Sequence, residues 1–494
     1  MNWMGDYIQD NIEETDTVLD LGCGIMQATL DIVSSYPKTR LKCKKLVGVD
    51  IYQPYLDYLN DLKIETLQWD LTKTPLPFED KSFDVILITD ILEHLPTVED
   101  ANRLIEESMR IARKIIFFVT PSIFFKNETG IQNVYPYEQF EGHNEFQRHH
   151  LFLDRKYLKE NGFKVIKKGV HFYGSRKLVN KIIHVWNVAG VSSIMCKYQN
   201  RLGYDVKLYS SKELDTYGYS EIYKENTIEY YQLKSFIIKN EYFKKIRNNK
   251  IYLIIKKVIN QLNFILKLKK VVDDFKPDII HFHILEYIPI IFKIMGYKLL
   301  IEFHGTRMRY KYYDGSINKS RKTPRWIFRL YQILGIPLFV STPDLLRDVP
   351  DYNKPKLISK LISNPVDKDI FNTVIHKPIK GTALFVLNKY DVENLDEAIL
   401  RSKKKGYNLI IHDRNKGIVF KHLDFANYLS SFEYYIDRIK IDSLSKTALE
   451  CLAMGLKVVD WKDDLIEELS LEHDPYNVAR KTLEIYDMIM VGQL

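Results

Sequence analysis

A short apolar strand that runs directly into a glycine-rich turn constrains this chain more than any other feature. Residues 17–27, TVLDLGCGIMQ, predict the strand and the turn, and residues 28–35 continue as a helix. Asp20 precedes Gly22 on the strand, and Gly24 follows in the turn. Glycines at such a turn let the backbone pass close to a ligand. The segment therefore predicts an α/β domain with a ligand site where its first strand ends.

Acidic residues end each of the next predicted strands. The strand KLVGVD ends in Asp50, and an acid at the end of a second strand suits ribose hydroxyls. Asp70 ends a third strand in LQWDL, and KSFDVILITDILEHL gives a fourth strand that ends at Asp90. A helix carrying Glu93 and His94 is expected to follow. This pattern indicates a nucleoside-binding sheet.

Two cofactors are candidates for this sheet. The dinucleotide fingerprint G-x-G-x-x-G needs a third glycine where this chain has Gln27, which argues against NAD. Asp20 can accept a hydrogen bond from the ammonium group of a methionine moiety. Over about residues 1–170 the order and spacing of the motifs resemble the class I methyltransferases, particularly the type-11 group.

This resemblance implies S-adenosylmethionine as the cofactor and assigns its contacts. Asp20, Gly22 and Gly24 would line the methionine end, Asp50 would hold the ribose, and Asp70 the adenine. The sulfonium is already activated, so the protein has to supply alignment and, for a hydroxyl acceptor, a base.

The candidate bases are His94, His143 and His150. His94 could equally be a structural residue at a helix start. The run EGHNEFQRHHLFLD (141–154) is either a polar connection to the last strand pair, NGFKVIKKGVHFY, or a lip over the acceptor. Its three histidines lack carboxylate-rich spacing, so we expect no metal there.

A second α/β region follows. HFYGSRKLVNKIIHVWNVAGVSS predicts a new strand that ends in a loop with Gly190, and a helix at about 191–202 precedes the strand RLGYDVKLYSS. KPDIIHFH, LLIEFHGTR and LFVSTPDLL predict further strands, and His283 and His304 end two of them. Open α/β sheets bind ligands at such strand ends.

The stretch 442–461, DSLSKTALECLAMGLKVVDW, predicts a capped helix and a buried strand. Lys446 and the free amides of the first turn are expected to face open space, as in a phosphate site. Asp442 and Glu450 flank that site, and carboxylates accept hydrogen bonds from sugar hydroxyls. An ordinary capped core helix with two incidental acids is the alternative.

The second half of the chain resembles the GT-B glycosyltransferases, especially the retaining family 4. The resemblance makes Asp442 and Glu450 the paired acids of that family, although its first acid is a glutamate. It places Gly190 at the domain cleft and His304 near the donor sugar. Lys389 and Lys446 would hold the diphosphate of a nucleotide-diphosphate sugar, with Asn394 standing where the family has a second basic residue. No metal is expected.

Length and composition bound the remaining expectations. A chain of 494 residues exceeds one ordinary core, and we expect domains at 1–172, 178–365 and 366–494. The four cysteines have no CxxC spacing, which indicates a reducing interior. We see neither a signal peptide nor an apolar run long enough to cross a bilayer, and expect a cytoplasmic location.

The segment 233–270 is strongly basic. It carries ten lysines and Arg247 against one acid, Glu241, with apolar residues between them. It could rest on an anionic membrane surface, or be an ordinary solvated face. No nucleic-acid motif accompanies the charge, so no nucleic-acid partner is expected.

The sequence thus predicts an α/β protein made of a Rossmann-like class I methyltransferase domain and the two Rossmann-like domains of a GT-B glycosyltransferase. The expected function is methyl transfer, to a sugar or glycan hydroxyl, combined with glycosyl transfer to a glycan or lipid-linked sugar acceptor. The alternative is a methyltransferase fused to a non-catalytic GT-B-like module that binds glycan or docks on a membrane. Asp442 and Asn394 favour that alternative.

Overall fold

The structure is a computed structural model of the chain. It describes residues 7–26, 41–122, 146, 149–210, 218–224, 227–229, 250–283, 286–305, 323–349, 361–387, 394–416, 420–438 and 441–494. The chain divides into two compact units. Unit 1 comprises residues 1–180 and 202–204, and unit 2 comprises residues 181–201 and 205–494.

The described part of unit 1 forms one seven-stranded sheet with the strand order β3-β2-β1-β4-β5-β7-β6. Its strands are β1 Thr17–Leu21, β2 Lys45–Asp50, β3 Glu65–Gln68, β4 Phe83–Thr89, β5 Ala112–Pro121, β6 Lys164–Lys168 and β7 His171–Lys177. Strand β7 runs antiparallel to its neighbours β5 and β6. Strands β2 and β4 lie on opposite sides of β1, so the order in which strands are added to the sheet reverses at β1. Such a switch point opens a crevice at the carboxyl ends of the strands.

The helices of unit 1 cover a sheet whose central strands are mostly buried. Its described helices are α1 Gln53–Asp61, α2 Val98–Ile111 and α3 Arg155–Glu160, with a 3₁₀ turn at Leu92–His94. Helix α2 begins where the Thr97 side chain accepts a hydrogen bond from the Asp100 N–H. Strand β4 is buried from Phe83 to Ile88, as expected of a parallel strand covered on both faces.

Unit 2 contains a six-stranded, fully parallel sheet among its described residues, in the order β10-β9-β8-β11-β12-β13. Its strands are β8 Lys181–Val185, β9 Asp205–Ser210, β10 Thr227–Glu229, β11 Ile279–His283, β12 Leu299–Phe303 and β13 Leu338–Val340. Its helices are α4 Val191–Arg201, α5 Tyr219–Ile222, α6 Lys250–Phe275, α7 Ile288–Ile294, α8 Arg325–Ile333 and α9 Pro343–Asp348.

A five-stranded sheet completes the described part of unit 2, in the order β15-β14-β16-β17-β18. Its strands are β14 Ile379–Leu387, β15 Asn408–Asp413, β16 Phe432–Ile436, β17 Lys457–Val459 and β18 Leu465–Ile466, of which β18 is antiparallel. Its helices are α10 Leu395–Lys405, α11 His422–Leu429, α12 Lys446–Met454 and α13 Pro475–Met490.

These elements confirm the predicted α/β class and correct one boundary. The pair β6 and β7 was predicted as the last strand pair of the first sheet, and it forms there. The prediction that HFYGSRK also opens the second sheet is wrong, because β7 pairs with β5, and the second sheet begins at Lys181. The C-terminal helix α13 packs near the six-stranded sheet, since the Tyr486 hydroxyl lies 2.7 Å from His281 Nδ1 of β11.

The basic segment 233–270 is described only from residue 250, where α6 begins. Leu262 and Leu266 of this helix are exposed, whereas Phe264 and Leu268 are buried in the core. Among the described residues, none of the helices combines the length and the apolar character that crossing a bilayer requires.

Candidate functional site

The turn that follows β1 requires glycine for two separate reasons. Gly22 and Gly24 have φ angles of 68° and 50°, in the left-handed region that side chains rarely adopt. A Cβ atom on Gly22 would also lie 2.4 Å from Cγ1 of Ile91. The Gly22 N–H donates to the Val49 carbonyl of β2 at 2.8 Å, which fixes the turn against the neighbouring strand.

Asp50, at the end of β2, holds the same turn. Its Oδ2 accepts the Gly24 N–H at 2.8 Å, and its Oδ1 accepts the Tyr52 N–H at 2.9 Å. Burial raises the pKa of Asp50, and these backbone hydrogen bonds oppose the rise. Each carboxylate oxygen has a second lone pair, so a ribose hydroxyl could still donate to Asp50.

Asp20 lies one strand away and has no hydrogen-bond partner among the described residues. Both of its carboxyl oxygens are buried, and the residue is 1% exposed. Burial first, and the Asp50 charge second, raise the pKa of Asp20 to about 8. A buried polar group without a partner is costly. A ligand ammonium group would satisfy this carboxylate, so the residues present fit the methionine end of S-adenosylmethionine.

Asp70 orders the loop after β3. Its Oδ1 accepts hydrogen bonds from the Thr72 N–H at 3.0 Å and from the Thr72 hydroxyl at 2.7 Å. The indole N–H of Trp69 donates to the Lys73 carbonyl at 3.1 Å, and its backbone N–H donates to the Asp50 carbonyl. The loop is therefore tied to the end of β2, and the contact of Asp70 with adenine stays a prediction.

The end of β4 carries a second group of titratable side chains. Glu93 is 2% exposed, and its carboxylate accepts a hydrogen bond from the Thr120 hydroxyl at 3.1 Å. Burial, followed by the Asp90 charge, raises the pKa of Glu93 well above its ordinary value. The imidazoles of His94 and His149 lie edge to face with 4.6 Å between ring centroids, and burial lowers the pKa of His149.

The three candidate bases are placed differently. His94 belongs to the 3₁₀ turn beside this group. His150 is exposed, and its backbone N–H donates to the Glu93 carbonyl at 2.8 Å. His143 lies outside the described residues. His149, which sequence reasoning did not single out as a base, is half-buried next to His94, and its place in the run of three histidines was the available signal.

Helix α12 begins as predicted, but Lys446 does not face open space. The Ser445 hydroxyl accepts the Ala448 N–H at 3.1 Å. The Lys446 side chain is only 14% exposed, donates to the Pro365 carbonyl, and lies 4.0 Å from Glu450. Burial lowers the pKa of Lys446 and raises the pKa of Glu450 to about 7. The segment around Pro365, which leads into the five-stranded sheet, covers Lys446. A helical pattern in the sequence does not show such a contact.

Asp442, the first acid of the stretch 442–461, forms an ion pair. Oδ1 of Asp442 lies 2.6 Å from Nη2 of Arg347. Asp437, which sequence reasoning missed, is fully buried after β16, and its Oδ2 accepts the Ser445 N–H at 2.8 Å. Its signal in the sequence is its place directly after the largely apolar run FEYYI.

The remaining predicted residues of unit 2 lie at loops and strand ends. Gly190 precedes α4 with a φ of 75°, and a Cβ there would lie 2.2 Å from the Tyr219 ring. His304 follows β12 and is buried. Asn394 is buried at the start of α10, with no described partner for its Oδ1. Lys389 lies outside the described residues.

The largely parallel sheet of unit 1, with carboxylates at adjoining strand ends beside its switch point, has the arrangement in which open α/β sheets bind ligands. Residues 19–118 match the family described as a methyltransferase domain. That match lies within unit 1.

Solved structures of S-adenosylmethionine-dependent methyltransferases are similar to about a third of the chain. One from Methanosarcina mazei is 19% identical, with 35% of this chain and 96% of that chain covered and a TM-score of 0.25. Another from Aquifex aeolicus is 16% identical, with 35% and 88% covered and a TM-score of 0.23. A third, from Mesorhizobium loti, is 13% identical, with 35% and 96% covered and a TM-score of 0.24. No curated protein sequence matches this chain.

Proposed function

We propose that unit 1 transfers a methyl group from S-adenosylmethionine to a hydroxyl group of a sugar or glycan. The observation that carries this proposal is the unpartnered, buried carboxyl of Asp20, which lies at the switch point of the described sheet beside a glycine turn held by Asp50. The match of residues 19–118 to a methyltransferase domain supports the same chemistry. A cation with a nucleoside attached would satisfy this site, whereas an apolar ligand would leave Asp20 unpaired.

In this proposal, different side chains bind the cofactor and accept the proton of the acceptor. The bound cofactor supplies an activated methyl group on its sulfonium. Asp20 would hold the ammonium group and Asp50 the ribose hydroxyls, which aligns the methyl group with the acceptor. For a hydroxyl acceptor, His94 or His149 would accept the proton that leaves the oxygen, because a neutral imidazole is a base, and burial lowers the pKa of His149 and so favours its neutral form.

The full chain, incubated with methyl-labelled S-adenosylmethionine and a panel of mono- and oligosaccharides, tests this function. We expect label in a saccharide product, and we expect Asp50→Ala to abolish the transfer. Glu65→Gln is the matched control, because Glu65 is an exposed acid on β3 that pairs only with Lys45 among the described residues. No transfer to any saccharide would refute the acceptor class, and transfer undiminished in Asp50→Ala would refute the site.

For unit 2 we propose glycosyl transfer from a nucleotide-diphosphate sugar to a glycan or lipid-linked sugar, with retention of configuration. Two parallel sheets and the buried pair Lys446 and Glu450 at the start of α12 support it. A Glu450 carboxyl with a pKa of about 7 is available both to accept and to donate a hydrogen bond to a ribose hydroxyl near neutral pH.

A panel of nucleotide sugars, with release of the nucleotide diphosphate as the readout, tests this second activity. We expect one donor to turn over and Glu450→Gln to stop it, whereas the exposed Glu467→Gln should behave as the wild type. If no donor turns over, and Glu450→Gln changes no ligand affinity, unit 2 is better explained as a non-catalytic module. The exposed Leu262 and Leu266 on the basic helix α6 then favour membrane docking, and vesicles with anionic lipid would bind the chain.

A further inference from the structure

We propose that Glu302, His283 and His304 of unit 2, with His281 beside them, bind one divalent transition-metal ion of the zinc type. This inference depends on neither of the two activities proposed above. It begins from a charged residue in an unusual place, since Glu302 lies within β12 and is fully buried.

The strand pairing explains how these side chains meet. His281 and His283 are two residues apart on β11, so both point to the same face of the sheet. Strand β12 lies parallel to β11, with Glu302 in register opposite His283. His304 follows two residues after Glu302, at the end of β12. Four side chains with metal-binding atoms therefore come together on adjacent strands.

The distances between their nitrogen and oxygen atoms are those of a metal coordination shell. Glu302 Oε2 lies 3.2 Å from His281 Nε2 and 3.6 Å from His283 Nδ1. Glu302 Oε1 lies 3.5 Å from His304 Nε2, which is 3.1 Å from His283 Nδ1. In a tetrahedral site with metal bonds of about 2.0–2.1 Å, neighbouring ligand atoms are about 3.3–3.4 Å apart.

Three of these atoms lack any hydrogen bond to the described residues. They are both carboxyl oxygens of Glu302 and Nε2 of His281, and both residues are 0% exposed. A buried polar group without a partner is costly. An ion would supply the positive charge that an ionised carboxylate needs in this interior.

The other ring nitrogen of each histidine is engaged elsewhere, as is usual for histidine ligands of metals. His283 Nε2 lies 2.8 Å from His184 Nδ1, and His184 in turn lies 2.9 Å from Gln199 Oε1. His281 Nδ1 lies 2.7 Å from the Tyr486 hydroxyl. His304 is hydrogen-bonded to the side chain of Asn364. These contacts, together with the hydrogen bond between His283 Nδ1 and His304 Nε2, fix the ring orientations around Glu302.

The chemistry of this set selects the kind of ion. Two imidazoles and one carboxylate favour zinc, cobalt, nickel or copper over magnesium or calcium. Almost complete burial of these ligands keeps a substrate away from the ion, so the ion would be structural. With Nε2 on the ion, His304 would hold the end of β12, which is an alternative to its predicted contact with a donor sugar.

The test uses the untagged full chain, stripped with a chelator and then titrated with Zn²⁺ and with Co²⁺. We expect about one ion per chain, a visible absorption band of tetrahedral Co²⁺, and a higher thermal midpoint in Zn²⁺. Glu302→Gln keeps the shape of the side chain and should lose the Co²⁺ band. His422→Gln is the matched control, because His422 is a buried histidine that packs on Tyr219 and Phe371, away from the set.

A wild-type chain that binds neither ion would overturn the proposal, and so would a Glu302→Gln chain that binds Co²⁺ as the wild type does. In both cases Glu302 would be a neutral buried acid beside hydrogen-bonded histidines. Where circular dichroism shows that Glu302→Gln is unfolded, His304→Gln gives the same comparison from the more accessible edge of the set.

Discussion

The Gly24 N–H donates a hydrogen bond of 2.8 Å to the carboxylate of Asp50, across 26 residues of sequence. This single contact joins the glycine turn after β1 to the end of β2. It therefore places the acid suited to ribose beside the turn that allows close approach of a ligand. Asp20, which has no hydrogen-bond partner among the described residues, lies on the strand that leads into that turn.

Alanine at the two turn glycines should have unequal effects. Gly24→Ala meets no atom within 4 Å, so it costs only the left-handed backbone, about 1–2 kcal/mol. Gly22→Ala adds a clash with Ile91, and we expect a total loss of about 2–5 kcal/mol. Thermal unfolding of both variants measures the difference, and Ile91→Ala added to Gly22→Ala should recover part of it. Equal losses would contradict the packing of Ile91 on this turn.

The affinity for S-adenosylhomocysteine should depend on pH through Asp20. Its pKa of about 8 in the free protein means that the carboxyl is protonated at pH 6 and must lose that proton to pair with an ammonium group. Binding should therefore tighten as the pH rises from 6 to 8, by at most about tenfold per pH unit. Calorimetry at several pH values measures this slope. Asp20→Asn should remove it, and a wild-type affinity that weakens over this range would contradict the assignment.

Asp367 should matter far more for stability than its neighbour Asp369. Asp367 is fully buried and accepts hydrogen bonds from Lys197 at 2.8 Å, from Tyr198 at 3.1 Å and from Tyr223. Asp367→Asn removes the buried charge on which these three hydrogen bonds converge and leaves Lys197 only the exposed Asp369, so we expect a loss of about 3–5 kcal/mol.

Asp369→Asn is the matched control for that change. Asp369 is 46% exposed and pairs with Lys197 at 2.7 Å and with Arg201 at 2.6 Å, and an exposed pair contributes about 1 kcal/mol or less. Denaturant unfolding of unit 2 in the full chain compares the two variants. A larger loss for Asp369→Asn would contradict this ranking.

Local pattern was enough to predict the strands and the acids at their ends. Asp20 and Asp50 each follow an apolar run, and Asp20 stands two residues before Gly22. Both acids are therefore expected where parallel strands end, at one edge of the sheet. The capped helix α12 was predictable for the same reason, because Ser445 precedes an apolar face at helical spacing and Gly455 ends it in the left-handed region.

Contacts between distant segments were not predictable from local pattern. Lys446 has the same helix position whether its ammonium meets solvent or the Pro365 carbonyl, which lies 81 residues away. His281 and Glu302 meet only because β11 and β12 pair in one register. The sequence alone shows which residues of a strand share one face of the sheet. It shows neither the neighbouring strand nor the register of the pairing.

The most direct test of the central claim, that unit 1 is built to bind S-adenosylmethionine through Asp20, is calorimetric titration of the full chain with S-adenosylhomocysteine and with NAD. The account predicts binding of S-adenosylhomocysteine without comparable binding of NAD. It also predicts a loss of about tenfold to a hundredfold in Asp20→Asn, as expected when a charge-assisted hydrogen bond is removed, and no change in Glu65→Gln. Tighter binding of NAD, or an Asp20→Asn chain that binds S-adenosylhomocysteine as the wild type does, would contradict it.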